Sequence, residues 1–156
     1  MHRFRHGTLL LFTRLLPAYA EQGDDRFQKG VALYQSGDRP AALQAFIKAA
    51  NAGSQKAAVQ AGWCYESGDG TRQDLAAAAK WYWVGADRGN SRGQKNLGAL
   101  YEEGRGGPED WVEAAKWYSK SAAQGDPDGE AALARAYQFG VGVAQSRRDA
   151  IAWDTR

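Results

Sequence analysis

Any catalytic reading of this chain has to begin with its carboxylates. Glu102 and Glu103 are adjacent, as are Glu109 and Asp110, and two acids are the minimum equipment of a glycosidase. Their placement argues against that chemistry. The first pair closes one helical pattern and the second opens the next, where solvated charges are ordinary and an acid at a helix start is favoured by the dipole. Both histidines, His2 and His6, precede every segment with a folding pattern, so neither a Ser-His-Asp nor a Cys-His arrangement, nor a histidine-held zinc, can be assembled beyond them. One cysteine, Cys64, supplies neither a disulfide framework nor a cysteine zinc site. H-E-x-x-H, S-x-x-K and the phosphate-loop spacing are absent. The expectation is a protein that is not an enzyme and uses no cofactor and no metal.

The tryptophans are more informative. Trp81, Trp117 and Trp153 recur at intervals of 36 residues, and a residue that every unit carries serves what every unit needs, which is packing. Trp63, Trp83 and Trp111 do not recur. Their equivalents are Ala99 and Arg135, Ser119 and Thr155, and Leu75 and Arg147. Positions that accept alanine, serine and arginine are expected at the surface, where an aromatic points to contact with a partner. Cys64 aligns with Leu100 and Ala136, which makes it a small core side chain.

The same period organises roughly residues 53–153. Tyr65, Tyr101 and Tyr137 obey it, as do Gly68, Gly104 and Gly140, and Gly53, Gly89 and Gly125; "AAKWY" stands at 78–82 and again at 114–118. Within a unit, Gly93, Leu97, Leu100 and Tyr101 trace the stripe of an amphipathic helix, and Ala114, Trp117, Tyr118 and Ala122 trace a second. Between them "GDG", "GRG" and "GVG" allow a tight reversal. Asp126 before Pro127 reads as a cap followed by a first turn. Each unit is predicted to be helix, glycine turn, helix, and such units need stacked neighbours to bury their faces.

The stretch "GQKNLGALYEEGRGGPED…EAAKWYSKSAAQG" resembles the SEL-1-like repeat, a helical-hairpin relative of the tetratricopeptide repeat. The resemblance implies an all-α superhelical solenoid of stacked antiparallel helix pairs, acting as a protein-binding adaptor. Residues 21–53 resemble a tetratricopeptide-type hairpin that caps the array. Residues 54–156 would hold two full repeats and a truncated third, which stops at "AWDTR". Thr71 and Gly107 depart from the valine of the pattern that Val143 keeps. Cysteine-rich relatives linked to β-lactam chemistry carry regular cysteine pairs that are missing here, so that activity is not transferred. The first helices of such arrays line a concave face, which makes Trp63 the leading binding candidate, extended by Arg92, Asn96, Ala99 and Arg135. Trp83 and Trp111 complete the set. The expected partner is a protein or peptide segment.

Residues 1–20 read separately. A basic opening, the apolar run "LLLFTRLLP" and "AYA" before "EQGDD" have the layout of a signal peptide cut after Ala20, although Arg14 interrupts the run. A periplasmic or secreted protein is expected, or a cytoplasmic one if the leader is not a signal. Its loss would remove Arg3, Arg5 and Arg14 and leave slightly fewer basic than acidic side chains in a chain that starts with 20 and 18. With both signs mixed along the sequence, no footprint for nucleic acid results. The run is also too short for a membrane span. Two rival readings are an envelope hydrolase acting on cell-wall or β-lactam substrates, and a truncated array that self-associates through its C-terminal end.

Overall fold

The computed structural model describes residues 24–154. The expected signal segment lies outside them. Among the described residues every regular element is an α-helix. The helices are α1 (residues 24–35), α2 (Arg39–Asn51), α3 (Gln55–Ser67), α4 (Leu75–Asp87), α5 (Ser91–Glu103), α6 (Trp111–Ala122), α7 (Pro127–Phe139) and α8 (Arg147–Asp154). Each packs on the next in chain order, the one-dimensional stacking of a solenoid. We call α3, α5 and α7 the A helices and α4, α6 and α8 the B helices.

Helix starts follow from short polar side chains that take up an otherwise unpaired backbone N–H. Ser54, Asn90 and Asp126 cap the A helices by accepting from Ala57, Gly93 and Gly129, and Asp74 and Asp110 cap α4 and α6 by accepting from Ala77 and Glu113. The A helices end at Gly68, Gly104 and Gly140 in the left-handed region, which costs glycine nothing. The next glycine in each turn has a second reason to be there. A Cβ on Gly106 would lie 2.3 Å from the Leu75 carbonyl oxygen, and one on Gly142 would lie 1.9 Å from that of Trp111. Each glycine turn therefore rests directly on the first turn of the preceding B helix.

The positions that repeat make the core. Ala42, Ala78, Ala114 and Ala150 are buried, and so are Tyr82 and Tyr118. Trp117 joins Ala78, Tyr82, Leu97 and Leu100, whereas Trp81 and Trp153 pack against the clusters on either side. The two buried tyrosines explain two more glycines. A Cβ on Gly62 would meet the Tyr82 ring at 2.6 Å, and one on Gly98 would meet the Tyr118 ring at 2.7 Å. In the third unit the tyrosine position is Asp154, and the glycine is accordingly relaxed to Ala134. Cys64 is buried with Leu43 and Phe46, and burial pushes its thiol up to about 11. At neutral pH it is a protonated core side chain, without the thiolate that nucleophilic chemistry needs.

Candidate functional site

Helical periodicity sets the outward stripe of each A helix. It runs Lys56, Gln60, Trp63 on α3, then Arg92, Asn96, Ala99 on α5, then Asp128, Arg135, Phe139 on α7, in the same register at steps of 36 residues, with the position equivalent to Asn96 taken by the buried Ala132. Five of the seven sequence-predicted residues, Trp63, Arg92, Asn96, Ala99 and Arg135, fall on this stripe. The face is bound across units by Lys95 with Asp128 at 3.5 Å and by Arg135 with Glu102 at 3.2 Å. Trp63 is 38% exposed, and its ring meets that of Tyr34 edge-on, with centroids 6.1 Å apart. Tyr34 in turn donates its hydroxyl to Asp69 at 2.8 Å and lies under the Arg39 guanidinium. Trp63 thus stands on the N-terminal hairpin, with its outer part free.

The other two tryptophans separate. Trp83, 48% exposed, lies on B helix α4 and is not on the A-helix stripe. Trp111 opens B helix α6, is 37% exposed, and its indole N–H donates to Glu109. Its ring walls a pocket of 130 Å³ that it shares with Arg135, Ala132, Ala136, Tyr118 and Phe139. Phe139, 64% exposed, is the member of this group that sequence reasoning missed. A signal was available, because its equivalents are Ser67 and Glu103, and an aromatic in a polar slot has no packing reason to be there.

Carboxylates behave differently from the sequence expectation in one respect. Asp110, expected as a charge at a helix start, caps α6, and Glu103 is exposed and pairs with Arg105. Glu102, however, is more than a solvated helix-end charge. It accepts from the buried Tyr118 hydroxyl and from Arg135 Nη2 on both of its oxygens. One unit earlier, Glu66 accepts from the Tyr82 hydroxyl at 2.6 Å and from Arg105 Nη1 at 2.9 Å. A hydroxyl brought into the core needs an acceptor, and the acid one unit apart in both copies supplies it. Burial and the neighbouring carboxylate both raise the ionisation of Tyr82 and Tyr118 well above the ordinary tyrosine value. Each acid is held by a tyrosine and an arginine, an arrangement that fixes packing. Among the described residues no group of histidine, cysteine and acidic side chains is placed to hold a metal ion.

A second hollow, of 370 Å³, lies toward the N-terminal ends of α3 and α5, between Phe27, Lys56, Val59, Gln60 and Arg92. A third, of 910 Å³, separates α7 from the short α8 and is bordered by Arg135, Phe139, Arg147 and Ile151. No described helix is long and apolar enough to cross a membrane.

Comparison with known proteins gives a consistent answer. The Sel1 repeat model matches residues 55–90, 91–126 and 127–153. The crystal structure of a Sel1 repeat protein from Oxalobacter formigenes superposes with a TM-score of 0.76 at 29% identity, over 83% of this chain and 51% of that one. A protective antigen, c5321, present in uropathogenic Escherichia coli strains and displaying an SLR fold, superposes with a TM-score of 0.79 at 33% identity, over 86% of this chain and 30% of that one. The chain therefore spans about half or less of the solved structures it matches. Among curated proteins, none shows significant similarity to it.

Proposed function

Because the chain belongs to the Sel1 repeat family, we propose that it is a non-enzymatic adaptor that holds a protein or peptide segment on its A-helix face, in the bacterial cell envelope. The Sel1 repeat fold is generally a scaffold for protein–protein interaction. The observation that carries the reading here is the division of labour between positions. Those that recur, such as Ala78, Tyr82 and Trp117, are buried, while the outward stripe changes from unit to unit, from Trp63 to Ala99 to Arg135. A surface that varies while its support stays constant suits recognition, since specificity then costs no stability. The layout of the first 20 residues supports an envelope location.

The hydrolase alternative loses ground because two of its candidate carboxylates are engaged in the fold, Glu102 by Tyr118 and Arg135 and Asp110 by the α6 cap. The test is affinity capture from native envelope extract, with variants as controls. Trp63→Ala is expected to lose the captured protein while keeping full helical content by circular dichroism. Trp117→Ala is expected to lower stability by about 3–5 kcal/mol, the cost of emptying a buried aromatic site. Capture that survives Trp63→Ala and an accompanying Arg135→Ala would remove the A-helix face from the proposal.

A further inference from the structure

The pocket beside Trp111 owes its lining to departures of the third unit from the second. Ala136 stands where the preceding unit has Leu100, and Ala132 where it has Asn96. Leu100 is buried in the core at the earlier junction and borders a hollow of 180 Å³ with Tyr101, Arg105 and Pro108; at the later one Ala136 lines the hollow beside Trp111. The walls change in the opposite sense, with Trp111 in place of Leu75 and Phe139 in place of Glu103. Small residues at the base and aromatic residues at the rim give an apolar hollow of 130 Å³, comparable with the ~150 Å³ that accommodates a benzene ring in an engineered cavity. It fits one bulky apolar side chain.

The opposite end of the same face has the complementary character. Lys56 and Arg92 occupy equivalent positions in successive A helices and border the 370 Å³ hollow, in which no acidic residue takes part. Among the described residues neither cation is in an ion pair, whereas Lys95, Arg105 and Arg135 on the same helices and turns all are. Two neighbouring like charges without a counterion repel each other and favour an anion from outside. Between the two sites lies most of the length of α5, from Arg92 to Glu102, about 15 Å at 1.5 Å per residue. Adding a sideways step of about 10 Å between packed helices gives a diagonal of roughly 18 Å, which five or six residues of extended chain would span.

We propose that the A-helix face reads an acidic peptide segment at two points, taking a bulky apolar side chain between Trp111 and Phe139 and a carboxylate on Lys56 and Arg92. This rests on the scaffold reading and gives its partner a chemistry. The probe is a displayed library of random peptides, long enough to span both points and panned on the full chain. Enriched peptides are then titrated against the unaltered protein, Ala136→Leu and the double variant Lys56→Glu with Arg92→Glu, each checked for native helical content. The expected result is enrichment of a bulky apolar residue five or six positions from an aspartate or glutamate. Affinity should fall at least about tenfold in each variant, and binding should weaken with added salt. Enrichment of neutral or basic peptides, or of acidic ones whose binding ignores both variants, overturns the two-point reading and leaves the scaffold standing. If no peptide is enriched at all, the scaffold reading itself falls.

Discussion

The junction between the first and second repeats and the junction between the second and third are built on one plan and finished differently. In both, a buried tyrosine of the B helix lies on a glycine of the A helix and donates its hydroxyl to an acid there. At the earlier junction the arginine completing the set, Arg105, comes from the following glycine turn, and Leu100 joins the core and borders a hollow with Arg105 and Pro108. At the later junction the arginine, Arg135, comes from the following A helix, and Ala136 leaves a pocket. The backbone register is shared, so the difference lies in the side chains, in their volume and in where the arginine comes from. Stability comes from what the units have in common, and a place to bind comes from where they differ.

Exchanging the residues at the critical position breaks that comparison most directly. Leu100→Ala should give the earlier junction the cavity of the later one and cost about 2–4 kcal/mol, the usual range for such a truncation. Urea denaturation followed by circular dichroism reads the loss. The reciprocal Ala136→Leu should change stability by less than about 1 kcal/mol, because the pocket has room for the added methylenes. Equal costs for the two would show that the later junction is as full as the earlier.

A smaller effect is expected at the tyrosine seats. Gly62→Ala would bring a Cβ to 2.6 Å from the Tyr82 ring and should cost about 1–3 kcal/mol by overpacking. At the third unit the same change has in effect already been made, as Ala134, because no tyrosine lies there. Combining Gly62→Ala with Tyr82→Ala should therefore cost less than the sum of the two single changes; strict additivity would show that the ring does not require the glycine.

The finest comparison is between the hydroxyls. Tyr82→Phe and Tyr118→Phe should each cost about 1 kcal/mol at neutral pH, the net value of a hydrogen bond. The pH dependence has a defined sign. Both tyrosines ionise at higher pH in the folded chain than the ordinary value of 10.0, so the native state retains protons that the unfolded chain releases, and stability is lost as pH rises above about 10. The phenylalanine variants should lose part of that slope. An unchanged slope in the double variant would show that other groups carry the alkaline loss.

Much of the fold was legible in the sequence. A 36-residue period carried by alanine, tyrosine, tryptophan and glycine marks the packed positions without reference to any partner residue, and caps such as Asp126 mark the helix ends. Exposure of Trp63, Trp83 and Trp111 was legible for the converse reason, that their equivalents are small or polar. Grouping them was not. Trp83 stays on the outside of a B helix, whereas Trp111, also on a B helix, turns toward Arg135 across the unit boundary. Glu66 and Glu102 were likewise readable as helix-end charges only, since their tyrosine partners lie 16 residues on, in the next helix.

The sequence by itself determined the repeat, the helix pairs and which side chains enter the core, because periodicity and capping are local and each unit restates them. Only the tertiary structure decided that the hollow lined by Ala136 is walled by Phe139 and Trp111 while the one lined by Leu100 has no such walls, and that, among the described residues, Lys56 and Arg92 lack an acid while Arg135 has one. The physical reason is that volume and charge are settled between units: a hollow or an unpaired cation is defined by what a neighbouring helix fails to provide, and that neighbour is chosen by stacking rather than by adjacency along the chain.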